Sequence, residues 1–308
     1  MKFLGTSSAT PTKTRGLPSI AITRDGQVVL MDCGEGAQAR FVRFGLGLNR
    51  DMLVLITHLH GDHVNGLLGL LQTMSMSRRV RTLTIVAPRE LFDWLRVTID
   101  VLHIGLSFDV SMVPVKRGIV LKGRDFRVRA CRADHSVPAW SYVFEELPRP
   151  GVFNTKKALA LGVPEGKKWS SLQHGRSVVV QGKRILPNQV LGPPRPGRRI
   201  GYSGDTRPTK LLARFFEGVD LLIFDSTFSA EDADKAIERK HSTSTEAAAL
   251  AKGAKVRRLA LTHFSARYTN AKRLLKQAKA VFEETVAAKD GLVLEVPLAD
   301  TERASPEA

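Results

Sequence analysis

Four side chains able to hold a metal ion, His58, His60, Asp62 and His63, stand within six positions in the run THLHGDH. The spacing selects a conformation. On a helix His58 and His60 would point about 200° apart and could not share an ion. In an extended turn, side chains i and i+2 face the same way. His58 and His60 can then bind one ion, while Asp62 and His63, just past Gly61, reach a second one nearby. Imidazole and carboxylate donors suit zinc, which leaves a position open for water at catalytic sites. Two such ions, about 3.5–4 Å apart, form a clamp suited to phosphoester hydrolysis.

Something must position this turn. The apolar run MLVLIT (52–57) reads as a buried strand that stops at His58, and VNGLLGLLQTMSM reads as a helix packed against it. Other strand-then-loop segments end on polar groups: FRVRACRADHS at His135, RRIGYSGDTRP at Asp205, DLLIFDSTF at Asp225 and RRLALTHFSARY at His263. QVVLMDCGEG runs into a Gly-rich turn carrying Asp32 and Gly34. Loops at one edge of a sheet are where α/β enzymes build their sites. Helices are expected at about 243–253 and 269–288.

The chain carries a net charge of +17 over 308 residues. Residues 151–200 hold ten Lys or Arg and one acid, Glu165, which is more than half of that excess. Charge concentrated on one segment points to a polyanionic partner, most often nucleic acid. The same segment is rich in Gly and Pro with little periodicity, so it reads as an inserted arm (151–198) on one domain spanning 1–300, with 301–308 as a tail. Cys33 and Cys131 are too few for a disulfide framework. With no apolar run near 18 residues and no leader-like start, the expected setting is cytoplasmic, without a membrane.

Taken together, the motifs resemble the metallo-β-lactamase superfamily and, within it, short-form ribonuclease Z, the tRNA 3′-processing endonuclease. THLHGDH after an apolar strand is similar to the superfamily signature. GTSSATPTKTRGLPS resembles the family's P-x-K-x-R loop, and LMDCGEGAQ its D-C-G-E-G turn. RADHSVP, YSGDTRP, KHSTSTEAA and LTHFSARY follow in family order, and LGVPEGKKW is similar to the arm that grips tRNA away from the site. The resemblance implies an αβ/βα sandwich, two packed mixed sheets with helices outside, plus a protruding basic arm.

It also implies two zinc ions per chain, with manganese as the alternative. His58, His60 and His135 would hold one, and Asp62, His63 and His263 the other, with Asp205 between them. A water or hydroxide between the ions would attack the phosphodiester and leave a tRNA 3′-hydroxyl. Catalytic roles fall to Asp62 and His241, the latter as proton donor to the leaving oxygen or as a phosphate ligand. Lys13 and Arg15 would meet phosphate or the acceptor stem, and Lys156, Lys157, Lys167 and Lys168 the tRNA backbone. Asp32 would orient a ligand histidine from behind or merely close its turn. Asp225 stands where relatives usually have Glu, in FDSTF instead of HEAT-F. By resemblance the enzyme is a homodimer, one arm presenting precursor tRNA to the partner's site.

Two other functions compete. A phosphodiesterase of the same fold, acting on small or cyclic nucleotides, shares the chemistry but has no use for a basic arm. A non-catalytic RNA-binding protein would have shed ligands, yet all seven expected positions are filled.

Overall fold

The computed structural model describes residues 1–298. The expected tail, 301–308, lies outside the described residues. The chain forms two compact units, one of Met1–Glu145 with Arg199–Val296, the other of Glu146–Arg198, to which Pro297 and Leu298 are assigned.

Two sheets make the first unit. One has the strand order Lys2–Gly5, Ser19–Arg24, Gln27–Met31, Asp51–Leu55, Leu83–Ala87, Val110–Pro114, parallel from Gln27–Met31 onward. The other runs Thr285–Ala287, Leu259–Thr262, Leu221–Asp225, Arg199–Tyr202, Ala139–Glu146, Phe126–Ala133, Gly118–Lys122, and its first four strands are mutually parallel.

Strand alternation explains the layering. Val29 and Met31 join Leu53 and Leu55 in a core shared with Tyr142, Ile200 and Ile223 of the second sheet. Val28 and Leu30, pointing the other way, pack with Leu67, Leu70 and Met74 of the helix Gly66–Met76. On the far side, Phe216, Leu222 and Leu261 pack with Ala247 and Ala251 of the helix Ser244–Gly253. The central strands Gln27–Met31, Asp51–Leu55, Leu221–Asp225 and Leu259–Thr262 are covered on both faces, which is why they read as continuous apolar runs. The result is helix, sheet, sheet, helix.

The helix expected near 243–253 forms, and Thr243 caps it by accepting from the Glu246 amide while the Glu246 side chain accepts from the Thr243 amide. The helix expected over 269–288 covers only Lys272–Lys279. Beyond it Thr285–Ala287 pairs in parallel with Leu259–Leu261. Two β-branched residues, Thr285 and Val286, gain more from finishing a sheet edge than from prolonging a helix.

Close backbone approach fixes the histidine turn. A Cβ at Gly66 would lie 2.0 Å from the Gly34 carbonyl oxygen, and one at Gly34 would lie 2.2 Å from that of Asp62. Only glycines let the D-C-G-E-G turn, the start of the helix and the histidine loop meet. The Cys33 amide then donates to the His63 carbonyl, and the Gly66 amide to that of Cys33.

The second unit has a small core of its own. Its entry and exit run side by side through Arg149–Arg195 and Phe153–Leu191 bridges. Beyond them the helices Thr155–Ala160 and Lys167–Gln173 and the hairpin Val178–Val180/Lys183–Ile185 enclose Ala158, Val163, Leu172 and Ile185. Trp169 packs at a tilt against Phe153 and donates its indole N–H to the Val163 carbonyl.

Candidate active site

The parallel strands deliver their C-terminal ends to one edge: Met31 is in register with Leu55, and Asp225 with Thr262. Asp32, His58 and His63 follow the first pair, and Asp205, Asp225 and His263 come from the second sheet. His60 is extended and its ring meets that of His58, as the i, i+2 argument requires, and Gly61–Val64 then makes one helical turn that carries Asp62 and His63. Asp32 (φ 55°) and His263 (φ 62°) occupy left-handed backbone, a conformation that non-glycine residues adopt where a site demands it.

Six of the eight histidines converge here. His60 Nδ1 lies 3.1 Å from His58 Nε2 and 3.2 Å from His135 Nε2. Asp205 Oδ2 lies 3.7 Å from His58 Nε2 and 3.2 Å from His63 Nε2, and its Oδ1 lies 3.3 Å from His263 Nε2. Asp62 Oδ2 is 3.5 Å from His263 Nε2 and 3.7 Å from His63 Nε2. The geometry brings His58, His60 and His135 together with Asp205, Asp62 with His63 and His263, and Asp205 with Asp225, His241 and His263, so Asp205 faces the histidines on both sides.

Behind the imidazoles, two carboxylates play matching parts. Asp32 accepts from His63 Nδ1–H at 2.7 Å and from the Thr57 hydroxyl, which in turn accepts from His58 Nδ1–H at 2.9 Å. Asp225 accepts from His241 Nδ1–H at 2.9 Å and from the Thr227 hydroxyl at 2.6 Å, and that hydroxyl accepts from His263 Nδ1–H. Each carboxylate therefore orients one histidine directly and one through a threonine. Asp225 is itself held in place, its oxygens accepting from the Thr206 and Thr227 amides. His135 Nδ1–H donates to the Lys240 carbonyl.

These bonds test whether metal fits. With Nδ1 committed outward, His58, His63, His135 and His263 all turn Nε2 inward. Imidazole nitrogens gathered this closely around carboxylates form a donor set that suits zinc. Burial, reinforced for His58 by His63 and for His60 by His135, lowers the pKa of His58, His60 and His135 and keeps them neutral. Burial also opposes charge on His63, yet Asp205 and Asp32 overcome it and hold that pKa well above the usual value. Asp205 stays ionised despite its burial, held by His263 and His63. Positive charge is thus favoured at the point where His63 faces Asp205.

His241 is more open. Burial lowers its pKa, but Asp225 outweighs that and raises it to about 9. Its carbonyl accepts from Arg207, which forms a two-point ion pair with Glu246. His241, His60, Asp62 and Asp205 line a cavity of about 780 Å³, whose rim includes Thr10 and Arg239.

The N-terminal loop reaches this site through its backbone: the Ala9 amide donates to Asp62 Oδ2 at 2.9 Å. Lys13 is exposed. Arg15 turns inward instead, donating to Thr6 Oγ1 and the Ala288 carbonyl and lying over the Phe264 ring. Lys156, Lys157, Lys167 and Lys168 belong to the other unit, where the first three are exposed and Lys168 donates to the Val179 carbonyl. Sequence reading missed Thr57, Thr227 and Tyr202. Thr57 adjoins His58 and Thr227 lies two residues after Asp225, but a hydroxyl's partner is a tertiary fact.

A fold of two sheets with histidine and aspartate groups at one edge defines a metal-dependent hydrolase of the β-lactamase superfamily, and residues 189–264 match the model described as a beta-lactamase superfamily domain. Residues 1–137 match the model of the anti-Pycsar protein Apyc1. The chain is 48% identical to "Ribonuclease Z" of Nitrosopumilus maritimus, covering 96% of this chain and 98% of that one. It is 40% identical to "Ribonuclease Z" of Myxococcus xanthus, covering 97% and 98%. The crystal structure of human tRNase Z, short form, superposes with a TM-score of 0.71 at 27% identity, covering 96% and 99%. The chain belongs to the ribonuclease Z family.

Proposed function

We propose that the chain removes the 3′ trailer of precursor tRNA and leaves a 3′-hydroxyl on the tRNA. It is a tRNA 3′-processing endoribonuclease, a hydrolase of RNA phosphodiesters. The observation that carries the reading is the pair of histidine–aspartate groups sharing Asp205 in a protein of this family. On this reading His58, His60 and His135 hold one zinc ion, Asp62, His63 and His263 a second, and Asp205 serves both. When bound, two such ions supply Lewis-acid activation of water and offset charge on the phosphate.

The remaining steps belong to the protein. Asp32 and Asp225 keep the ligand imidazoles turned inward. With Nδ1–H committed to Asp225, His241 offers its Nε2 proton to the 3′ oxygen that leaves with the tRNA. The Ala9 amide holds Asp62 in place beside the phosphate. His241→Ala is expected to slow single-turnover cleavage about 100- to 10,000-fold with tRNA affinity unchanged. An equal loss in binding would reassign His241 to phosphate holding.

The direct test is cleavage of a precursor tRNA bearing a 3′ trailer, with zinc and with a chelator. One cut after the discriminator base, lost on chelation, is the expected result. An intact precursor beside a hydrolysed small phosphodiester would favour the phosphodiesterase instead.

Tracking the RNA falls to exposed cations, Lys13 on the loop and Lys156, Lys157 and Lys167 on the second unit. The enzyme acts in the cytoplasm, consistent with two free, buried thiols; among the described residues no helix is long and apolar enough to cross a membrane. It works as a homodimer. In support, the helix Arg89–Val101 leaves Trp94, Val97 and Val101 exposed at helical spacing, with Leu102 beside them. Val97→Asp should shift the sedimentation mass to that of a monomer, and an unchanged mass would remove this face from the interface.

A further inference from the structure

Asp32 receives one bond from outside its own sheet. The Tyr202 hydroxyl, on the strand Arg199–Tyr202 of the second sheet, donates to Asp32 Oδ2 at 2.7 Å. The same oxygen accepts from His63 Nδ1–H. Both Tyr202 and Asp32 are buried. Tyr202 stands three residues before Asp205, so its hydroxyl ties the segment bearing the shared carboxylate to the group that aims His63. A second contact acts in the same place: Gly204, at φ 58°, lies so close to Thr57 that a Cβ on it would fall 2.8 Å from the Thr57 Cβ. Thr57 is the link from Asp32 to His58.

We propose that Tyr202 is a positioning residue for metal binding, which locks Asp205 of one sheet to His58 and His63 of the other by way of Asp32. The inference rests on the metal-centre reading above. Seven donor atoms from two sheets can serve an ion only if the sheets keep their spacing to within a few tenths of an ångström. Groups behind metal ligands commonly govern affinity ten- to a hundredfold. Tyr202 acts through Asp32, so the effect belongs at the lower end of that range.

The fold supplies its own control. Tyr142 is equally buried, and it too bonds across the two sheets, its hydroxyl donating to the Ile56 carbonyl at 2.7 Å. It does not reach Asp32. Tyr142→Phe and Tyr202→Phe therefore remove the same kind of buried bond, and a merely structural role predicts the same outcome for both.

The test is zinc affinity of the purified full-length chain, measured by competition with a chromophoric chelator. Wild type and Tyr142→Phe are expected to bind alike, and Tyr202→Phe about tenfold more weakly. Thermal unfolding of the metal-free proteins should place the two variants together, which separates positioning from stability. Equal affinity for Tyr202→Phe and wild type would overturn the inference while leaving the metal centre intact, as would an equal loss in Tyr142→Phe. A wild type that binds no zinc would overturn the metal centre itself.

Discussion

Asp205→Ala loses cleavage of precursor tRNA by at least about a thousandfold and still binds the tRNA. Of all the replacements, this one removes most, because a single carboxylate faces both histidine groups. Its Oδ2 approaches His58 and His63, and its Oδ1 approaches His263. Without it, both histidine groups lose the one carboxylate that faces them together. His63→Ala should cost as much activity but empty only one group. Single-turnover cleavage beside filter binding distinguishes the two effects, and metal analysis counts the ions retained. Asp205→Ala retaining a tenth of wild-type cleavage would dismiss the shared-carboxylate reading. A parallel loss of tRNA affinity would mean that the site also carries binding.

The second large effect belongs to Glu146–Arg198. Its ten basic and two acidic residues divide in the structure. Arg198 pairs with Glu146, Arg195 donates to the Pro150 carbonyl, and Lys168 to that of Val179. Lys156, Lys157, Lys167 and Lys183 are exposed. Converting those four to alanine should weaken tRNA binding about a hundredfold at low salt. The slope of log affinity against log salt should fall by about 3, from roughly 0.7–0.9 per phosphate contact. Hydrolysis of a small phosphodiester should not change, since none of the four lines the catalytic cavity and none belongs to the unit's apolar core. An unchanged salt slope would show that this segment does not track RNA.

Much of the site was legible because it obeys local rules. His58 and His60 share a direction in extended chain, and His135, Asp205 and His263 sit at strand ends, which apolar runs mark well. The arrangement behind them was not. That Asp225 serves His241, as Asp32 serves His63, depends on which strands become neighbours. Arg15 reads like Lys13 in PTKTR, yet one is wrapped by Thr6, Ala288 and Phe264 and the other is exposed. In residues 151–200, three-residue strands and six- or seven-residue helices are too short to imprint a period, so a packed core there read as irregular chain. The same limit hid the short edge strand Thr285–Ala287, whose pairing partner lies 26 positions earlier.

Each histidine group draws ligands from both sheets: His58, His60, Asp62 and His63 follow a strand of one, and His135 and His263 follow strands of the other. An ion at either place would thus be a tie between the two halves of the sandwich as well as a reagent. Binding to the folded chain alone adds stability as RT ln(1 + [L]/Kd), about 2.7 kcal/mol for each ion at a hundred times its dissociation constant. Melting temperature would then follow the free concentration of zinc, and a starved cell would lose the protein itself to unfolding and proteolysis along with its turnover.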